Sequence, residues 1–163
     1  MGQGVIHVYS GDGHGKSSAA LGKAVQAASM GKSVVIIQFL KGLADNSFIK
    51  RLEPEIKFFR FEKSDADFNL LSDAEKAEEI QNIKNGLNFA KKVLATGGCD
   101  LLILDEVLGL IDNQIISVED LMTIINTRDE ETSVIITGIQ LDNELCRVAD
   151  EISKIETVKY KVW

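Results

Sequence analysis

The segment Ser10-Gly11-Asp12-Gly13-His14-Gly15-Lys16-Ser17-Ser18 follows a short apolar run, Val5-Ile6-His7-Val8-Tyr9, and leads into an alanine-rich stretch with helical spacing. Strand, glycine-rich turn and helix in that order constrain the chain more than anything else in it. Glycines allow the left-handed turns that point successive backbone N–H groups at one spot, and the N-terminus of the following helix adds partial positive charge there. The arrangement is that of a phosphate-binding loop, with Lys16 able to reach terminal phosphates and the Ser17 hydroxyl able to face Mg2+. The strict pattern G-x-x-x-x-G-K-[ST] asks for glycine where Ser10 stands. The reading therefore rests on Gly15-Lys16-Ser17, the additional glycines and the strand-to-helix context.

The rest of the chain repeats the same alternation of short apolar runs and amphipathic stretches, which reads as βα units around a parallel sheet. The helix from Lys16 to Met30 stops at Gly31, and Val34-Val35-Ile36-Ile37 lies within an unbroken apolar run expected to be a strand buried on both faces. Ile56 to Phe61 alternates and suits a strand nearer an edge; residues 41–55 read as a loop with a helical turn. Ser72-Asp73-Ala74-Glu75 has capping-box spacing and opens a long helix to Thr96. Leu101-Leu102-Ile103-Leu104 and Val134-Ile135-Ile136-Thr137 are two more buried strands, with a helix between them from Val118 to Thr127 behind Ser117. Residues 142–150 read as a short helix, Ile152 to Tyr160 as a final strand, and residues 62–71 as the most loop-like interior segment. No linker or repeat divides residues 1–163, so one domain is expected.

Charge narrows the ligands. Of the net −7, residues 1–61 carry 8 basic and 4 acidic groups, while residues 62–163 carry 10 and 21. Duplex nucleic acid needs a continuous basic surface, so it is not expected as a partner, whereas a small anion near the N-terminal half is. Cys99 and Cys146 lack metal or disulfide spacing and read as small apolar side chains, and two histidines are too few for a metal cluster. No apolar run approaches the ~18 residues of a membrane span, and no leader pattern precedes the first strand. The expectation is a cytoplasmic protein without a membrane partner.

A strand that ends in two carboxylates, Leu101 to Glu106, is the expected complement of a phosphate loop, because a magnesium ion held by phosphates takes an oxygen ligand from a neighbouring strand end. The residues leave open which of Asp105 and Glu106 meets the metal. His14 stands either beside the phosphates or in solvent, and Lys41-Gly42 stands either on a ligand at the carboxyl edge of the sheet or in a solvated loop. Trp163 reads either as a seal on a helix or dimer contact or as a frayed end.

Taken together, Val8 to Ala20, Val35-Ile36-Ile37-Gln38-Phe39-Leu40-Lys41-Gly42, Leu102-Ile103-Leu104-Asp105-Glu106 and Val134-Ile135-Ile136-Thr137-Gly138 resemble the ATP:corrinoid adenosyltransferases. The Gln-Phe-x-Lys-Gly string is the most discriminating, and that family also begins its loop with Thr or Ser, as at Ser10. The resemblance implies an α/β fold, a three-layer parallel-sheet P-loop (RecA-like) nucleotide-binding domain. It implies transfer of the 5′-deoxyadenosyl group of ATP to the reduced cobalt of a corrinoid with release of triphosphate, in cobalamin biosynthesis or salvage. Cobalt is the nucleophile, so no catalytic base or nucleophile of the protein is implied. Ser10, Gly11, Asp12, Gly13, His14, Gly15, Lys16, Ser17, Ser18, Gln38 and Lys41 would bind ATP, and Ser17 with Glu106 would hold Mg2+, with Asp105 in support. Phe61 and Phe68 are the aromatic residues available to the loop that faces the corrin in this family. A homodimer is also implied, and a flavoprotein could supply the electrons. The alternatives are a non-catalytic or regulatory ATP-binding relative and a generic P-loop ATPase or kinase, which would release ADP and phosphate or a phosphorylated acceptor.

Overall fold

The computed structural model describes residues 3–40 and 46–162. Six strands form one sheet: β1 (Ile6–Ser10), β2 (Val34–Gln38), β3 (Ile56–Arg60), β4 (Leu101–Asp105), β5 (Ser133–Thr137) and β6 (Glu151–Lys154). The order is β3-β2-β4-β5-β1-β6, and every pairing is parallel. β1, β2 and β4 are buried at every residue, as expected of strands covered on both faces. The outer strands carry the charge: Lys57 and Arg60 on β3, Glu151 and Lys154 on β6. Charged edges discourage pairing with another chain.

Alternation along the strands sends successive side chains to opposite layers. Helix α1 (Lys16–Ser29) lays Ala20, Ala24 and Ala27 against Tyr9, Val34, Ile36, Leu101, Ile103 and Ile135. Alanine keeps that helix close to the sheet. The opposite layer contains α3 (Asp73–Ala95), α4 (Val107–Asp112), α5 (Val118–Ile125) and α6 (Asn143–Val148), packed on Val8, Val35, Ile37, Leu102, Leu104, Val134 and Ile136. Each fully buried Leu or Ile there contributes about 1.5–3 kcal/mol relative to exposure. A short α2 (Ser47–Lys50) precedes β3.

The local signals hold where they were strongest. Ser72 and Glu75 form both halves of a capping box on α3, and Ser117 does the same with Asp120 on α5. Two expectations need correction. The last strand stops at Lys154 instead of continuing to Tyr160. Its partner β1 ends at Ser10, where Gly11 turns with φ +109°, so the ladder runs out of neighbours and residues 155–162 follow the loop instead. Helix α4 is not anticipated, because Val107-Leu108-Gly109-Leu110-Ile111, directly after Asp105-Glu106, is too short an apolar run to show a helical period. Glu106, with φ +64°, makes the break between β4 and α4. Residues 62–71 form a loop except for one 3-10 turn at Phe68–Leu70.

Candidate functional site

The site forms where the parallel strands end. Register sets Gln38 of β2 beside Asp105 of β4, and Thr137 ends β5, the strand that separates β4 from β1. β1 delivers Ser10 to the same edge, and the chain then turns through Gly11 to Gly15, whose φ of +108° starts α1. No side chain caps this helix start, the kind of helix N-terminus at which backbone N–H groups meet an anionic ligand or water. Lys16 Nζ donates to the Gly13 carbonyl at 2.9 Å, folding the ammonium over the loop.

Asp105 connects the loop to the sheet. Only 4% exposed, it accepts at Oδ1 from the Ser17 hydroxyl (2.9 Å) and from Thr137 Oγ1 (2.7 Å), and at Oδ2 from Gln38 Nε2 (3.4 Å). Thr137 Oγ1 in turn accepts from the Glu106 N–H at 2.7 Å. A hydroxyl has one proton and two lone pairs, so Thr137 locks both members of the Asp105-Glu106 pair. The left-handed backbone at Glu106 turns the two neighbouring carboxylates apart. Asp105 is tied into the sheet edge, and Glu106 lines a cavity of about 360 Å3 together with Asp12, Gly13, His14, Gly15, Lys16, Ser17 and Ser18.

A second cavity, about 130 Å3, adjoins the first through Ser17 and Ser18 and reaches Gln38, Asp105 and the apolar Leu21, Ile36 and Phe58. Gln38 Oε1 is buried in this region without a hydrogen-bond partner among the described residues. The oxygen set at Ser17, Asp105 and Glu106 suits a hard cation such as Mg2+, which accepts one or two carboxylates and completes its shell with phosphates and water. Among the described residues no group of three or more His, Cys, Asp or Glu forms an all-protein metal cage. Such a cage is not what a phosphate-held magnesium needs.

Ser10, Gly11, Asp12, Gly13, His14, Gly15, Lys16, Ser17 and Ser18 thus lie together at one strand edge with Gln38, Asp105 and Glu106. The His14 ring meets Tyr160 edge-on, with centroids 4.5 Å apart. Lys41 and Gly42, expected at this edge, lie outside the described residues, as does Trp163. Phe61 packs with Phe59 and Phe89, at centroid distances of 6.5 and 5.5 Å, over Gly86 of α3. Phe68 sits on the 3-10 turn with Lys76 Nζ 5.8 Å from its ring centroid.

Sequence reasoning missed three residues here. Thr137 was read only as the end of a strand, although its place beside Tyr9 and next to Gly138 is fixed by the register. Glu62 accepts from the Leu40 N–H at 2.7 Å, holding the chain just after Gln38-Phe39; burial, partly opposed by that bond, raises its pKa. Glu79, 4% exposed on α3, accepts from the N–H groups of Lys63 and Ser64 and so anchors the loop containing Phe68. A glutamate on a helix face carries no sequence signal for burial of this kind.

The family model described as ATP:corrinoid adenosyltransferase BtuR/CobO/CobP matches residues 2–162. A corrinoid adenosyltransferase of Escherichia coli is 30% identical over 161 residues, spanning 97% of this chain and 79% of that protein. The corrinoid adenosyltransferase of Salmonella typhimurium is 30% identical over 159 residues, with the same shares. A solved KaiC-like protein of Pyrococcus horikoshii superposes with a TM-score of 0.60 at 16% identity, covering 96% of this chain and 75% of that one. That likeness is one of fold alone: a parallel sheet between two helical layers.

Proposed function

The chain belongs to the ATP:corrinoid adenosyltransferase family, and from that premise we propose how its residues serve the reaction. It is an enzyme that transfers the adenosyl group of ATP to a corrinoid. The electron pair of reduced cobalt forms a bond to the ribose 5′ carbon as the carbon–oxygen bond breaks, and that bonding pair leaves on the triphosphate. No proton moves in this step, so the protein needs no base. Its work is to hold a highly charged leaving group, and preorganised donors of the kind found in oxyanion holes are worth about 3–4 kcal/mol each.

We assign that role to the loop from Gly11 to Ser18, in which the Gly11 and Gly13 N–H groups brace the turn on the Ile139 and Ile155 carbonyls and the others face the triphosphate, and to the Lys16 ammonium. The observation that carries this reading is the 2.9 Å bond from the Ser17 hydroxyl to Asp105 beside the loop cavity. Because Asp105 accepts the hydroxyl proton, Ser17 Oγ is oriented to present a lone pair to a cation. Ser17 and Glu106 would hold Mg2+, with Asp105 orienting Ser17 from behind. When bound, the ion would neutralise charge on the departing triphosphate. Gln38 and Lys41 belong to the ATP side of the proposal, as do a homodimeric assembly, a cytoplasmic setting and a flavoprotein reductant. Among the described residues no helix is long and apolar enough to cross a membrane.

The test is product analysis. Reduced cobalamin and Mg·ATP should give adenosylcobalamin and free triphosphate in equal amounts. ADP and phosphate as the only products would overturn the reading.

A further inference from the structure

The segment after β6 leaves the sheet but not the loop. It runs extended along the phosphate loop as a strap. The Ile155 N–H donates to the Ser10 carbonyl (2.8 Å), the Gly13 N–H donates to the Ile155 carbonyl (3.0 Å), and the His14 N–H donates to Thr157 Oγ1 (2.7 Å). Tyr160 then packs edge-on against the His14 ring. The approach is so close that a Cβ on Gly13 would lie 2.6 Å from the Ile155 carbonyl oxygen and 2.7 Å from Thr157 N, and one on Gly11 would also meet that carbonyl. The two additional glycines of the loop are therefore required by the strap, whatever they contribute to a ligand.

Two N–H groups of the kind a phosphate loop turns on its ligand, those of Gly13 and His14, are thus engaged by the strap, and a third, that of Gly11, donates to the Ile139 carbonyl (3.0 Å). The two under the strap are not engaged equally. Gly13 is bonded to a main-chain carbonyl whose own residue is tied back to Ser10, whereas His14 is bonded to a hydroxyl on a side chain that can rotate. Beyond Thr157 the strap is thinly held, with Val158 98% and Tyr160 63% exposed.

We propose that Thr157 is a positioning residue for the ATP triphosphate, acting through His14: its hydroxyl occupies the His14 N–H in the free protein and yields that donor to a phosphate oxygen when ATP enters. The proposal rests on residues 10–18 being the triphosphate loop. A charged phosphate oxygen is the stronger acceptor and displaces the neutral hydroxyl. Each binding event nevertheless gives up the Thr157 bond, and the same bond re-forms as the triphosphate departs. The strap thereby sets ATP affinity below what the loop alone would reach and assists release of a product carrying several negative charges.

Titration calorimetry with Mg·ATP, and separately with inorganic tripolyphosphate, tests this on the full chain. Thr157→Val, which keeps the shape and removes the hydroxyl, should bind both about three- to tenfold more tightly, the effect of one neutral hydrogen bond no longer displaced. Thr157→Ser should bind like the parent. In turnover, the KM for ATP of Thr157→Val should fall by the same factor with no rise in kcat. Unchanged or weaker binding by a Thr157→Val protein with parental melting behaviour overturns the proposal. Lys16→Ala separates the two layers of inference. If it weakens tripolyphosphate binding while Thr157→Val has no effect, only the role of Thr157 fails; if neither substitution matters, the loop assignment itself fails.

Discussion

Replacing Thr137 with Val removes one oxygen from the interior and leaves the shape intact. The hydroxyl is fully buried, donates to Asp105 at 2.7 Å and accepts from the Glu106 N–H at 2.7 Å. Loss of a donor to a carboxylate costs about 1.5–3 kcal/mol, and an orphaned buried N–H about 1–3 kcal/mol. The methyl that replaces the hydroxyl returns about 1 kcal/mol of apolar burial. The net expectation is a loss of about 3 kcal/mol, which for a domain of this length lowers Tm by about 6–12 °C. Urea unfolding followed by circular dichroism measures it, with Thr137→Ser as the control. The serine keeps both hydrogen bonds and should lose only about 1 kcal/mol for the missing methyl. Thr137→Val should also raise the KM for ATP more than Thr137→Ser does, since Asp105 orients Ser17. If Thr137→Val is within about 0.5 kcal/mol of the parent, a range ordinary for inconsequential surface changes, then the hydroxyl does not lock the carboxylate pair and the argument is wrong.

Three further outcomes follow from the packing. Cys99 is buried, with burial pushing its thiol up to about 11, while Cys146 is exposed; a thiol reagent at pH 8 should therefore modify one cysteine in the native protein and two in urea, and rapid native modification of both would contradict this. A Cβ on Gly138 would collide with Leu108 of α4, whereas one on the exposed Gly22 of α1 meets nothing, so Gly138→Ala should lower the urea midpoint while Gly22→Ala should raise stability by about 0.5–1 kcal/mol. Burial lowers the pKa of His7, partly opposed by Glu151 at 3.7 Å and reinforced by Lys23. Below the unfolded value of about 6.5 the unfolded chain then binds more protons than the native one. Stability should be full above that pH and fall as the pH drops toward the folded value, and His7→Gln should flatten the change in urea midpoint between pH 7.5 and 5.5; parallel profiles would refute the assignment.

Where a segment's structure depends on its own neighbours, the sequence was legible. The capping box read at Ser72 requires only residues three positions apart, and it is present, as is the helix start read behind Ser117. The buried strands announced themselves as unbroken apolar runs, because a strand covered on both faces has no polar side. α4 was not legible, because the apolar run after Asp105-Glu106 is too short to show a helical period and the left-handed turn at Glu106 that starts it has no signature in the sequence. The final strand was overextended because Val158, Tyr160 and Val162 alternate like a strand while lying outside the sheet, largely exposed.

Residues 10–18 and the Asp105-Glu106 pair could be read from residue type and spacing, since loop chemistry depends on glycines, a lysine and a hydroxyl at fixed separations. What the chain alone could not reveal is how the parts meet. Strand order places β5 between β4 and β1 and so supplies Thr137 to both carboxylates. The left-handed residue at Glu106 sends two adjacent side chains to different tasks, and the end of β1 at Ser10 releases residues 155–162 onto the loop. Each of these is a contact between residues more than thirty positions apart, or a consequence of one. Local propensity carries no information about such partners; the topology of the sheet does.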